Sequence, residues 1–108
     1  MKESILKNKS FKFAVRIVNL YKYLCKEKQE FVLSKQVLRC GTSVGAMVRE
    51  AEHSESKADF IHKLAIAQKE INETLYWLEL LSETEYITTT EFDIINTDAV
   101  EIIKMLTS

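Results

Sequence analysis

SKADFIHKLAIAQKEINETLYWLELLS, running from Ser56 to Ser82, is the stretch that decides the fold. Phe60, Leu64, Ala67, Ile71, Leu75 and Leu78 recur at steps of three and four, the period of a helix buried along one side. No glycine or proline interrupts the run. At 1.5 Å per residue such a helix is about 40 Å long. Ser56 with Asp59 three residues on gives it a start like a capping box. At about 100° per residue a second apolar group falls almost opposite the first: Ala65, Ile66, Tyr76, Trp77 and Leu80, with Glu73 among them. A helix in a solitary bundle needs one apolar stripe, and this one carries two. Exposed patches that hold Trp and Tyr mark interfaces. The second group therefore predicts self-association through Ile66, Tyr76, Trp77 and Leu80, unless the connections or the first helix cover it.

Three further helices follow from the same period, giving elements at about 10–28, 34–53, 56–82 and 89–107. The first places Phe13, Ile17, Leu20 and Leu24 on one face, and Phe11, Ala14, Val18, Tyr21 and Cys25 widen that stripe. The second starts near Ser34, read as its N-cap, and carries Val37, Gly41, Val44, Val48 and Ala51 on its apolar side. Gly41 and Gly45 each cost a helix about 1 kcal/mol relative to alanine. Close approach of a neighbouring helix accounts for them. The fourth opens on Thr88-Thr89-Thr90-Glu91, a capping box, with Ile87 and Phe92 placed as a hydrophobic staple. Short connections make consecutive helices antiparallel neighbours. The expected fold is all-α: an antiparallel up-and-down four-helix bundle, a single domain over residues 1–108.

Composition agrees. The chain has 108 residues, 46% of them hydrophobic, with two glycines and no proline. Sheet proteins need turn residues at every hairpin, so so few of them favour a few long elements. Cys25 and Cys40 lie among apolar residues without a Cys-x-x-Cys spacing and read as buried thiols. The N-terminal residues lack the apolar stretch of a signal peptide, and no apolar run approaches about 18 residues. A cytoplasmic location without membrane contact is expected. Residues 1–50 carry eleven Lys and Arg against four Asp and Glu, a net of +7; residues 51–108 carry four against twelve, a net of −8. Either helices of opposite sign lie side by side and attract, or a basic surface faces an anionic partner.

Chemical motifs are scarce. Glu50-Ala51-Glu52-His53 contains Glu-x-x-His, but a di-iron bundle needs a second copy of that motif and the chain has none. No P-loop, nucleophile elbow or dinucleotide fingerprint occurs. No enzyme activity, cofactor, metal or small-molecule substrate is implied. Arg39, Ser43, Ala46 and Glu50 share a stripe opposite the second helix's apolar face: either a solvated face, or one from which Arg39 and Glu50 pair with charges such as Glu73 in a polar interface network. Lys12, Arg16, Tyr23 and Lys26 share a face of the first helix. Basic residues with an interleaved aromatic can follow a phosphate backbone and stack on a base, although a pI near 6.1 is low for a dedicated nucleic-acid binder.

Leu33-Ser34 through Glu50-Ala51, with Arg39-Cys40-Gly41-Thr42-Ser43-Val44-Gly45-Ala46 at its centre, carries a resemblance. So do Ser56-Lys57-Ala58-Asp59-Phe60, Lys63-Leu64-Ala65-Ile66-Ala67, Lys69-Glu70, Glu73-Thr74 and Tyr76-Trp77-Leu78. Together they resemble bacterial four-helix-bundle proteins encoded in intervening sequences of 23S ribosomal RNA genes. The accessory variability determinant of diversity-generating retroelements is similar to the same family. Met47 stands where the family pattern often has Asn. The resemblance implies an antiparallel bundle assembled into a homopentameric, barrel-like ring, without established enzymatic activity. The retroelement member is a basic partner of a reverse transcriptase and of nucleic acid, so RNA, DNA or a nucleoprotein stands as the alternative partner.

Overall fold

The computed structural model of the chain describes residues 2–108, with side chains described from Ile5 onward. It contains four helices, α1 (Lys2–Lys26), α2 (Leu33–Ala51), α3 (Lys57–Glu83) and α4 (Thr89–Thr107), and no strand among the described residues. Each helix packs on its neighbours in sequence, and α1 closes the bundle by packing on α4. The direction of each packing is read from the pairs it forms. Gly41 and Gly45 of α2 lie against Ile17 and Ser10 of α1. Arg39 reaches Glu70 and Glu73 while Glu50 reaches Lys63. Lys9 meets Glu101 while Arg16 meets Asp98. In each case a higher number on one helix meets a lower one on the other, so these neighbours run antiparallel. The result is a bundle of 43 × 22 × 18 Å.

The core is built largely from the stripes expected from the periodicity, joined by Leu6, Cys40 and Leu81, which lie outside them. Phe13, Ile17 and Leu24 of α1, Val37 and Val44 of α2, Ala67, Ile71, Leu78 and Leu81 of α3, and Ala99 and Ile102 of α4 are buried. Phe60, Leu64 and Leu75 are half-buried at the edge of that core. Gly41 and Gly45 have the role expected of them: a Cβ on Gly41 would stand 2.8 Å from two carbons of Ile17, and one on Gly45 would stand 3.2 Å from the Ser10 carbonyl oxygen. No helix of the described residues is long and apolar enough to cross a membrane.

Two helix starts match the sequence and two do not. Ser56 caps α3 by accepting from the Asp59 amide, and Thr88 with Glu91 forms a reciprocal capping box on α4. The buried Ile87 precedes that cap, and Phe92 packs against the same core. By contrast, α1 begins at Lys2 and ends at Lys26, not at about 10 and 28. Leu6 and Ser10 are buried, so the early turns are fixed by packing that no cap residue announces. Ser34 is not the N-cap of α2 but lies inside its first turn. The cap is supplied from outside by Glu30, whose carboxylate accepts from the amides of Val32, Leu33 and Ser34 at 2.7–3.1 Å. Ser34 Oγ donates back to the Glu30 carbonyl at 2.8 Å. The helix dipole favours a carboxylate at this end.

Neither glycine serves a helix end. Gln29 and Glu85 take the left-handed conformation after α1 and α3, with φ of 54° and 68°. After α3 the amides of Glu85 and Tyr86 return to the carbonyls of Ser82 and Leu81, closing a Schellman motif on a non-glycine residue.

The Glu30 cap makes the fold acid-sensitive. Burial pushes its carboxyl up, but the hydrogen bonds from the Leu33, Ser34 and Val32 amides outweigh it and hold the group below its ordinary value of 4.5. A carboxyl depressed in the folded state contributes stability that is complete above the unfolded value and fades as pH falls through the folded one. Glu30→Gln is expected to lower the stability at pH 7 by roughly 1 kcal/mol, and the unfolding midpoint with it, as a charged acceptor gives way to a neutral one. Its midpoint should also fall less steeply than the parent's below pH 4.5. Denaturation followed by circular dichroism at a series of pH values measures both.

Candidate subunit interface

Helix α3 turns about 100° per residue, and this separates the second apolar group into two parts. Tyr76 points outward with 60% of its surface exposed, and Ala65 is exposed on the same side about three turns earlier. Ile66, Trp77 and Leu80 are half-buried. Trp77 lies one step further round, where it packs against the bundle's own core. Its indole N–H donates to Glu73 Oε2 at 3.1 Å. Tyr76 and Trp77 meet edge to face, with centroids 5.1 Å apart, a favoured geometry for aromatic pairs. The outer aromatic patch thus exists, but Trp77 anchors it from within while Tyr76 forms its open surface.

The polar network expected around it divides likewise. Arg39 and Glu73 come together: the guanidinium donates to Glu73 and lies 3.5 Å from Glu70. The Trp77 N–H holds the Glu73 carboxyl below its ordinary range; partial burial opposes this, and the Arg39 charge adds to it. Glu50 is not part of that cluster. It pairs instead with Lys63 at 3.0 Å, further along the α2–α3 seam. Ser43 turns its hydroxyl back to the Arg39 carbonyl at 2.7 Å, and Ala46 is exposed.

The basic face of α1 is partly engaged by α4. Arg16 Nε lies 3.0 Å from Asp98, and Lys9 lies 2.6 Å from Glu101. This is the side-by-side attraction of oppositely charged helices that the uneven charge allows. Exposed pairs of this kind contribute about 0–1 kcal/mol each. Lys12 and Lys26 are exposed on the same helix, and Tyr23 is half-buried with Lys28 6.0 Å from its ring centre. Among the described residues no group of three or more His, Cys, Asp or Glu side chains converges as metal ligands would.

The sequence reading missed a second apolar surface. Phe11 and Val15 of α1 are 55% and 47% exposed. Phe11 lines a groove of about 320 Å³ between α1 and α2, together with Lys7, Ala14, Thr42, Gly45, Ala46 and Arg49. The wide stripe on the first helix was its signal. Part of that width does not face the core at all.

An antiparallel four-helix bundle with ion-paired seams and an aromatic outer edge is the class this geometry defines. The family model described as 23S rRNA-intervening sequence protein matches residues 2–108, and the chain belongs to that family. Among solved structures it is similar to a protein of unknown function from the S23 ribosomal protein family of Bacteroides thetaiotaomicron. The two are 62% identical over 99% of this chain and 96% of that one, with a TM-score of 0.98. Comparison with curated proteins finds no match.

Proposed function

We propose that the chain is a non-enzymatic, homo-oligomeric interaction module, a bundle that works as a scaffold in a ring of the pentameric type implied by its family resemblance. The observation that carries this reading is Tyr76. A large aromatic side chain stands 60% exposed on the outer face of α3, braced by a Trp whose N–H is already satisfied. Large exposed aromatics rimmed by charge are the usual anchors of protein interfaces. Arg39, Glu70 and Glu73 supply such a rim. The capture of Arg16 by Asp98 favours self-association over a nucleic-acid role for α1, because it spends one of the basic face's charges inside the bundle.

Tyr76→Arg tests the reading with little risk to the fold, since surface substitutions usually stay within about 0.5 kcal/mol. The variant should keep the helical spectrum of the parent but sediment at a mass of one chain. Retention of the parent's mass would remove Tyr76 from the interface.

A further inference from the structure

We propose that the α1–α2 groove of one copy seats the Tyr76 face of α3 from a second copy, so that the contact joins two unlike surfaces. The inference rests on the self-association reading and adds which faces meet.

Large apolar side chains are exposed at several places, Phe31, Val32, Ile61 and Ile94 among them, and two of these places suit each other. One surrounds the α1–α2 groove, whose floor is built from small residues, Ala14, Thr42, Gly45 and Ala46. Such a floor leaves room for a ring. The other is the outward Tyr76, a ring 60% exposed and backed on one side by Trp77.

The charges left over after internal pairing differ in sign at the two patches. At the groove, Arg49 lies 5.5 Å from the centre of the Phe11 ring and has no carboxylate partner among the described residues. Lys7, which also lines the groove, is taken up by Glu52 at 3.6 Å, so Arg49 is the charge left over there. Around Tyr76, Glu79 and Glu83 are exposed without a cationic partner among the described residues, against the unpaired Lys69; the exposed Arg39 is taken up by Glu70 and Glu73. A contact of Tyr76 face on Tyr76 face sets acids against acids. A contact of groove on groove sets Arg49 near its own copy. Groove on Tyr76 face sets opposite charges together, and like-charge juxtaposition is what selects against wrong pairings. A contact between unlike surfaces is head to tail and continues from copy to copy until the rotation closes a ring.

Two variants at exposed positions test it: Phe11→Glu, which spoils the groove, and Tyr76→Arg, which spoils the ring that enters it. Each alone should sediment as a single chain while keeping the parent's helical spectrum. Mixed in equal amounts they should form a complex of two chains and no larger. The Tyr76 face of the Phe11→Glu copy is intact and so is the groove of the Tyr76→Arg copy. If Phe11→Glu loses its helical spectrum, Arg49→Glu at the rim takes its place in the same mixture. A mixture that stays at one chain, or a groove variant that assembles like the parent, overturns the pairing of faces. A parent protein that is itself a single chain overturns instead the self-association reading beneath it.

Discussion

Gly41→Leu is expected to lower the unfolding midpoint more than any surface substitution in the chain. A Cβ at this position would lie 2.8 Å from both Cγ1 and Cγ2 of Ile17. Those atoms sit next to the Ile17 branch point, and both residues are fully enclosed, so neither has a free direction in which to yield. Leucine adds three more carbons to that clash. Overpacking of a close-packed core costs about 1–3 kcal/mol, occasionally more, and leucine lies at or beyond the upper end. Against this stands the helix propensity regained on losing glycine, about 0.8–1 kcal/mol. The net loss of roughly 2 kcal/mol corresponds to about 10 °C for a domain near this length. Gly45→Ala is the comparison: its Cβ would come no nearer than 3.2 Å, to the Ser10 carbonyl oxygen, with the carbonyl carbon at 3.4 Å, so packing and propensity nearly cancel. Thermal unfolding of the two variants beside the parent measures the difference. A Gly41→Leu protein as stable as the parent would mean that α1 and α2 do not approach as described.

Trp77→Glu should damage both the fold and the assembly. Removing a buried Trp costs about 3–5 kcal/mol, and with the ring half-buried roughly half of that is expected. The new carboxylate would also stand one turn from Glu73, where like charges repel along a helix, and Glu73 would lose the donor at 3.1 Å. The chain should unfold at lower temperature and, where folded, sediment as a single copy. Trp77→Phe separates the two roles. It keeps a ring against Tyr76 and should keep the assembly, while the Glu73 carboxyl titrates nearer its ordinary value because the first cause of its depression is gone. Nuclear magnetic resonance titration of the side-chain carboxyl reads that shift. A Trp77→Phe protein that falls apart would show that the indole N–H, and not the ring, holds the surface together.

Much of the fold is legible because helices announce themselves through period and caps. Thr88 and Glu91 form the reciprocal box their spacing implies, and Ser56 accepts from Asp59 as its position suggests. Gly41 and Gly45 reveal a close helix approach because nothing else in a helix calls for them. The failures have equally local causes. Among the described side chains of α1 before Ser10, Leu6 alone is buried and the rest are mostly polar, so periodicity has too few points to detect these turns. The cap of α2 comes from a carboxylate that folds forward from Glu30, three and four residues before the amides it serves, and no cap pattern encodes it. At the outer surface the period identifies the second apolar group of α3 but cannot say that Trp77 turns partly inward while Tyr76 does not. Phe11 reads as part of the widened apolar stripe of α1, yet it stands 55% exposed over the α1–α2 groove.

The account's central claim is that the apolar outer surface of α3 is covered by another copy of the chain. Sedimentation velocity of the unmodified protein, at low ionic strength and over a dilution series, tests it most directly. The account predicts one species several times heavier than the 12.5 kDa chain, persisting to low concentration. A single 12.5 kDa species at every concentration would contradict it.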